Sequence, residues 1–432
     1  MRAMDWRTGR LPLKGLLVVD WSVFWAGAYL GMMLHDLGAQ VVKVESPYNW
    51  DPMRTILDVN PGARGAQQAL PPEERCNLNQ HFNEWNRGKL SLAVALEREE
   101  GRRVLLDLLA RADIFIENHR PHVKEKLGIA YEDVRKVKPD IVYLSISGFG
   151  QDGPERDALA LGSPVELASG LFSLNGYHGQ ATPAKTGFSY ADPVSALVAL
   201  GAILLALRQR RRTGKGRFID IAMRDALSFG IGSAFVDWAL NGRERPRLGN
   251  RHPSYAPQGV YRAYGADEWI AISVRNDQEW QALVRLMGNP DWATDPELAT
   301  VEGRRRHHDL IDQHLERWTS QHCARALEAA LQEAGVPAGA VLDYRQLRFD
   351  PQLNARGMTQ EVQHPLFGTE VRTRSLWQRG PCSQPIERPA PCFGQHNRYV
   401  LREILGYSEQ DIQRLEEQGI IASSIHPSPQ HD

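Results

Sequence analysis

Leu16-Leu-Val-Val-Asp20, Ala26-Gly-Ala-Tyr-Leu-Gly-Met-Met-Leu-His-Asp-Leu37 and Val41-Val-Lys-Val-Glu45 follow one another near the start of the chain, with Gly38 after the second run. The first and third are short, apolar and rich in valine, the composition of strands buried on both faces. The middle run is too long for a strand and stops at a glycine, as helices do. Together they predict a βαβ unit. A basic start, Met1 to Arg10, ahead of the mostly apolar stretch Leu16 to Leu34 also has the look of a signal peptide or membrane span. Asp20 and Ser22 interrupt that stretch, and its change from strand-like to helix-like texture favours a buried strand and helix.

Outward from this unit the pattern recurs: a helix over Glu99 to Arg111, a strand at Asp113 to Glu117, a helical turn near Tyr131 to Lys136 and a strand over Ile141 to Ile146. Strands separated by helices of this length imply an α/β fold with a mostly parallel sheet covered on both faces. One long helix is predicted from Asp192 to Arg212, with Pro193 at its first position and Thr213-Gly214 at its end. Its apolar residues lie almost all round through Leu207, which requires burial. Beyond about residue 226 the texture changes. Gly259-Val-Tyr-Arg262 and Trp269-Ile-Ala-Ile-Ser-Val274 read as strands of a smaller α+β unit, followed by amphipathic helices to about Ala334. A chain of 432 residues exceeds what one core holds. The expected division is a large domain over 1–225, a small domain over 226–345 and a C-terminal segment over 346–432. That segment should carry a final helix near Tyr399 to Leu405 and a frayed tail from Ser423.

With 42% hydrophobic and 24% charged residues, the composition is that of a globular chain. Lys plus Arg (51) balance Asp plus Glu (52), so no global field draws the chain to nucleic acid or to an anionic membrane. An anionic ligand must be held by a local cluster. Cys76, Cys323, Cys382 and Cys392 are too scattered for a disulfide framework and form no CxxC pair, which fits a reducing, cytoplasmic compartment. His307 and His308, preceded by Arg304 to Arg306, suit a solvated helix. His119 and His122 lack partners at metal spacing, so no metal is expected. No GxSxG elbow of a serine hydrolase occurs.

Gly148-Phe-Gly-Gln-Asp-Gly153 matches GxGxxG and follows a strand. It comes after several βα units, however, and Pro154 with charged residues follows, so it reads as a turn or another ligand's loop in preference to a nicotinamide or flavin site. Asp192, just before Pro193, reads as a helix N-cap, and alternatively as a nucleophile that the helix N-terminus keeps ionised by lowering its pKa. Basic residues cluster in three places. Those at Arg208, Arg210 to Arg212, Lys215 and Arg217 suit a helix C-terminus. The other two clusters are Arg87 with Lys89, and Arg120 with Lys124 and Lys126; Arg120 and Lys126 follow the carboxyl end of a predicted parallel strand and could hold phosphates, and an ordinary solvated face explains them equally well.

In order and spacing a further set of segments resembles one family. They are Leu13-Lys-Gly-Leu-Leu-Val-Val-Asp20, Ala26-Gly27, Asp36 to Glu45, Asn86-Arg-Gly-Lys89, Glu117-Asn-His-Arg-Pro121, Ser147 to Pro154, Tyr190-Ala-Asp-Pro193, Arg211 to Gly216, Gly249 to Pro253, Ala334 to Gly339 and Val400 to Gly406. They are similar to the family III CoA-transferases, the group of formyl-CoA and carnitine CoA-transferases and methylacyl-CoA racemase. The resemblance covers nearly the whole chain. It implies a Rossmann-like large domain to which the C-terminal stretch returns, an interlocked homodimer, and no permanently bound cofactor. It implies coenzyme A and acyl-CoA as substrates with a carboxylic acid acceptor, and it places the catalytic aspartate on Asp192. CoA-contacting positions fall on Trp25 and Ala26, on Trp85, Asn86, Arg87 and Gly88, on Asn118, His119 and Arg120, on Lys126, and on Ser147, Gly148, Phe149 and Gly150.

The implied reaction moves CoA from an acyl-CoA to an acid through an aspartyl-CoA thioester. Three departures bear on the substrate. Trp25 stands where the formyl-CoA enzymes have a glutamine, Ser46 stands where they have an arginine, and their glycine-rich loop is not seen near His252 to Gln258. Formate and oxalate are therefore not the expected acids. Trp21, Phe24, Trp25 and Tyr29 hint at an apolar or aromatic acyl group, and core packing explains them as well. The racemase branch is one rival, but its paired His-Asp would fall on Leu161-Gly162, which cannot move a proton. A CoA-binding protein without turnover, in which Asp192 only caps its helix, is another, and a nicotinamide oxidoreductase is the third.

Overall fold

The computed structural model describes residues 11–55, 71–366, 368–377 and 385–425. The basic start Met1 to Arg10, Cys382 and the tail from residue 426 lie outside them. Two compact units emerge: Met1–Ser169, Gly187–Gly232 and Ala355–Asp432 form the larger, and Gly170–Thr186 with Ser233–Asn354 the smaller. The sequence reading places Gly170–Thr186 in the large domain. Apart from one short turn at Leu171–Ser173, that segment carries no regular element by which its allegiance could be read.

In the larger unit six strands form one parallel sheet: β1 (Leu17–Trp21), β2 (Gln40–Glu45), β3 (Leu90–Ala93), β4 (Ile114–Glu117), β5 (Val142–Ser147) and β6 (Arg217–Ala222). Their order is β3-β2-β1-β4-β5-β6. β1 to β5 are buried almost throughout, as their unbroken apolar runs require. The helix Ala26–Asp36 joins β1 to β2, and Glu99–Arg111 joins β3 to β4. The strand order reverses between β1 and β4, and the crevice over the carboxyl ends of those two strands is where open α/β sheets bind ligands. The C-terminal stretch reaches the same sheet. Ile421 bridges Val94, and Val400, Leu401, Ile412 and Leu415 enter the core with Leu105 and Leu108. The final helix is present as Asn397–Tyr399 and Val400–Leu405, and a further helix, Glu409–Glu417, follows it.

The long helix runs from Ala191 to Thr213, so Asp192 and Pro193 are its second and third residues. By length and composition it is apolar enough to cross a membrane, with a mean hydropathy of 1.7. Ser195, Ala196 and Ala199 are buried, and such small side chains let the helix lie close against Ala26–Asp36 and the sheet. The expectation of burial all round does not hold within this chain: Leu197, Val198, Leu204 and Leu205 are exposed, Leu205 by 68%. One face only meets the sheet.

The smaller unit is built on an antiparallel sheet of Gln258–Arg262, Trp269–Ser273 and Ala338–Val341. Helices Asp277–Leu286, His308–Thr319 and Ala324–Glu333 cover it, with Trp280, Leu283, Ile311, Leu315 and Leu331 in the core. Arg304 and His308 are not on a solvated face as expected. Arg304 is fully buried and binds Asp277 (2.8 Å) and the Ala256 carbonyl (2.8 Å), and His308 accepts the Gln258 N–H (3.1 Å). Both satisfy polar groups that the fold would otherwise bury without partners.

Candidate active site

The turn after β1, Ser22 to Trp25, carries the site and is held from below. Phe24 adopts a left-handed conformation (φ 59°), costly for an aromatic residue and sustained only by surrounding contacts. Asp51 accepts the Phe24 N–H (2.9 Å), and Lys43 binds Asp51 (2.8 Å) and donates to the Ser22 carbonyl. Asn118, after β4, accepts the Val23 N–H (2.8 Å) and donates to its carbonyl (2.7 Å). Its amide is thus spent on pinning the turn.

Beneath the turn lies a set of buried charges. Lys89 donates to Asp20 (2.7 Å), to the Ala28 carbonyl (2.8 Å) and to Asn86 (2.8 Å), and at the far end of helix Ala26–Asp36 Arg87 grips Asp36 through two bonds (2.6 and 2.9 Å). Burial alone would push the Asp20 carboxyl up, but the Lys89 and Lys43 ammoniums outweigh it and hold Asp20 below its ordinary value. Burial pulls Lys89 down to about 8 against the attraction of Asp20. Asn86, Arg87 and Gly88, expected to touch CoA, therefore serve the fold. Arg87 and Asn86 are buried, and Gly88 lies so close to His35 that a Cβ would sit 2.2 Å from the imidazole. The sequence could not reveal that this turn feeds β3 beside Asp20 and Asp36.

Over the carboxyl ends of β1, β4 and β5 lies a cavity of about 420 Å³. It brings together Trp25 and Trp85, Asn118, His119 and Arg120, Ser147 and Gly148, and Asp192. Trp25 stacks on Trp85 (centroids 4.5 Å apart, planes at 11°), and Phe188 meets Trp25 edge-on (4.7 Å). His119 stacks on Trp21 (3.9 Å). Burial, aided by the charges of Lys43 and Lys124, pushes its imidazole down to about 3, so it is neutral. Ala26, Phe149, Gly150 and Lys126 do not line this cavity. Ala26 is buried, Phe149 lies under the Arg224 guanidinium, and the Gly150 N–H is bound to Ser147 (3.1 Å). Lys126 faces a neighbouring cavity of about 380 Å³ with Ser46, Glu97, Arg102 and His122, and Val123 borders both. The loop from Gly148 to Gly153 opens no helix, which sets it apart from a dinucleotide fingerprint.

Asp192 is not the cap of its helix. Tyr190 holds the cap position without a side-chain bond, and the fully buried Glu166 caps in its place, accepting the Ala191 N–H (3.1 Å) and the Tyr190 N–H. Asp192 accepts instead from the Ser189 hydroxyl (3.1 Å), and the Ala26 N–H, the first of helix Ala26–Asp36, favours its charged form. Gly162 leaves room for it: a Cβ there would stand 2.5 Å from Asp192 Oδ2. The expected lowering of its pKa is reversed. Burial raises it, the Ser189 bond and the Ala26 N–H oppose the rise without cancelling it, and the Glu166 charge adds to it.

The family model for CoA-transferase family III matches residues 13–397. The chain belongs to CoA-transferase family III. It is 31% identical to a succinyl-CoA–D-citramalate CoA-transferase of Chloroflexus aurantiacus, over 95% of this chain and 98% of that one. It is 32% identical to a succinate–glutarate CoA-transferase of Agrobacterium fabrum, over 91% and 96%. A solved CAIB/BAIF family protein from Brucella suis superposes with a TM-score of 0.80 at 30% identity, covering 92% of this chain and all of that one. The enzyme is thus a transferase, and CoA thioesters are substrates of its class.

Several residues of this family III enzyme escaped the sequence reading. Ser189 precedes Asp192 by three positions, a Ser-x-x-Asp spacing that signals a helix start and could have drawn attention. Glu166 sits in the short helix Gly162–Ala168, with no local signal of its role. Arg102, on the helix after β3, brings a cation to the second cavity, where Ser46 is engaged with Glu97 (2.6 Å). Among the described residues, no group of His, Cys, Asp and Glu is placed to hold a metal ion.

Proposed function

We propose that this family III CoA-transferase moves CoA from an acyl-CoA donor to a carboxylic acid through a covalent thioester on Asp192. The observation that carries the reading is the division of labour at one helix end: Glu166 does the capping, and Asp192 is left facing the cavity. The Asp192 carboxylate attacks the donor thioester carbonyl, the C–S bond breaks, and a mixed anhydride and CoA thiolate form. The thiolate attacks the aspartyl carbonyl and expels the donor acid, leaving aspartyl-CoA. The acceptor carboxylate then attacks that thioester and releases the thiolate, which takes the acceptor's acyl group from the second anhydride and restores the Asp192 carboxylate. Thioester energy is conserved without another reactant. The Ala26 N–H, which favours the charged form of Asp192, is the backbone donor we assign to the developing oxyanions.

Arg120 in one cavity and Lys126 with Arg102 in the next are the cations we assign to the CoA phosphates. We place the enzyme in the cytoplasm as an interlocked homodimer. The exposed apolar stripe of Leu197, Val198, Leu204 and Leu205 suits cover by a second copy. Racemisation is disfavoured because Leu161 and Gly162 border Asp192 where a second acid or base would be required, and a neutral His119 is too weak a base. Intact-protein mass spectrometry with succinyl-CoA, acetyl-CoA and further acyl-CoAs, after hydroxylamine or borohydride quench, tests the proposal. A modification mapped to Asp192 and absent from Asp192→Ala is expected. CoA binding with no trapping by any donor would overturn it.

A further inference from the structure

The wall that Asp192 faces is aromatic, and its shortage of charge restricts the acids that fit. Trp25 and Trp85 form a parallel stack at the cavity, and Phe188 closes onto Trp25 edge-on. Phe24, Met53 and Leu161 add further apolar surface. Among the described side chains lining the cavity, only Asp192 and Arg120 carry a charge, since His119 is neutral. Asp192 is the nucleophile and Arg120 the phosphate ligand on the reading above. Among the described lining residues, the second carboxylate of a dicarboxylic acid would then meet no cation, and burial penalises an unpaired ion heavily. A flat ring finds a stacking surface already built.

Trp25 adds an independent sign. Its Nε1 is buried and has no hydrogen-bond partner among the described residues. A buried donor left open in this way marks a place where a ligand oxygen completes the structure. Trp25 precedes Ala26, whose N–H favours the charged form of Asp192, so the open donor belongs to the residue next to one that acts on the nucleophile.

We propose that the acid activated at Asp192 is an aromatic monocarboxylic acid, with its ring on the Trp25–Trp85 wall and an oxygen taking the Trp25 indole N–H. This rests on the covalent reading of Asp192 and narrows it. It also departs from the dicarboxylic acids named in the citramalate and glutarate relatives.

The test loads the full-length enzyme with CoA from whichever donor traps on Asp192. It then offers phenylacetate, 3-phenylpropanoate and cinnamate against succinate and glutarate, and identifies the acyl-CoA products by mass. The aryl acids should be preferred by about 100-fold in kcat/KM, the scale on which a site lacking a partner for a polar group rejects it. Trp25→Phe should keep the preference with a lower rate, and Trp25→Ala should abolish it. Asp192 adduct formation shows that each variant is folded, and Phe188→Ala replaces Trp25→Ala should the latter fail to fold. Equal use of both acid types, or preference for succinate or glutarate while the Asp192 adduct still forms, would overturn this inference and leave the covalent mechanism standing. Absence of both adduct and transfer would remove the mechanism and this inference with it.

Discussion

Two regions of the larger unit use polar and charged side chains for opposite ends. Under the first turn and at the far end of helix Ala26–Asp36, Asp20, Asp36, Lys43, Asp51, Arg87 and Lys89 are buried, and each meets an opposite charge within the chain. Around the cavity above, Trp25 Nε1 and His119 Nε2 have no partner among the described residues, and Arg120 is exposed. A charge whose partner lies in the chain is spent on holding the fold. One without is available to a ligand. The Arg87–Lys89 and Arg120–Lys126 clusters look alike in the sequence, and pairing sorts their members: Lys124, buried against Glu117 (2.6 Å), goes with the first, whereas Arg120 and Lys126 are exposed.

The contrast predicts that substitutions on the two sides fail in different measurements. The largest effect is expected from Asp192→Asn, which should lower turnover by about 10⁴-fold without unfolding the protein. Because the folded pKa of Asp192 lies above 3.8, its contribution to stability is present below 3.8 and lost as the pH rises through the folded value. At pH 7 the variant should therefore be at least as stable as the wild type in urea unfolding. A clear loss of stability would move Asp192 to the structural side. Next comes Lys89→Ala, which strands Asp20 in the interior and should cost about 3–5 kcal/mol in the same unfolding experiment. Retained stability would mean that Lys89 is not the partner Asp20 depends on. Arg120→Ala should raise KM for acyl-CoA about tenfold while the unfolding midpoint stays put. The smallest effect belongs to Glu166→Gln. Its amide oxygen can still accept the helix N–H groups, but without the charge the pKa of Asp192 falls, and the acid limb of kcat/KM should shift to lower pH.

The sequence by itself determined the βαβ rhythm, the parallel sheet and the helix that carries Asp192, because strand and helix periods are local properties of neighbouring residues. It also marked the loop after β4 as one that could meet a ligand, since the edge of a parallel sheet follows from strand direction, and the family resemblance added the loops after β1 and β5. Only the tertiary structure decided which charges were free. Lys89 finds Asp20 from 69 residues away, Arg87 finds Asp36 from 51, and Glu166 reaches the start of the long helix from 25. Such pairings depend on where the chain folds back, and no local pattern encodes them. For the same reason the sign of the Asp192 shift was misread. A helix N-terminus is visible in the sequence and favours the ion, whereas the burial that outweighs it exists only once the β1 turn has closed over the carboxylate.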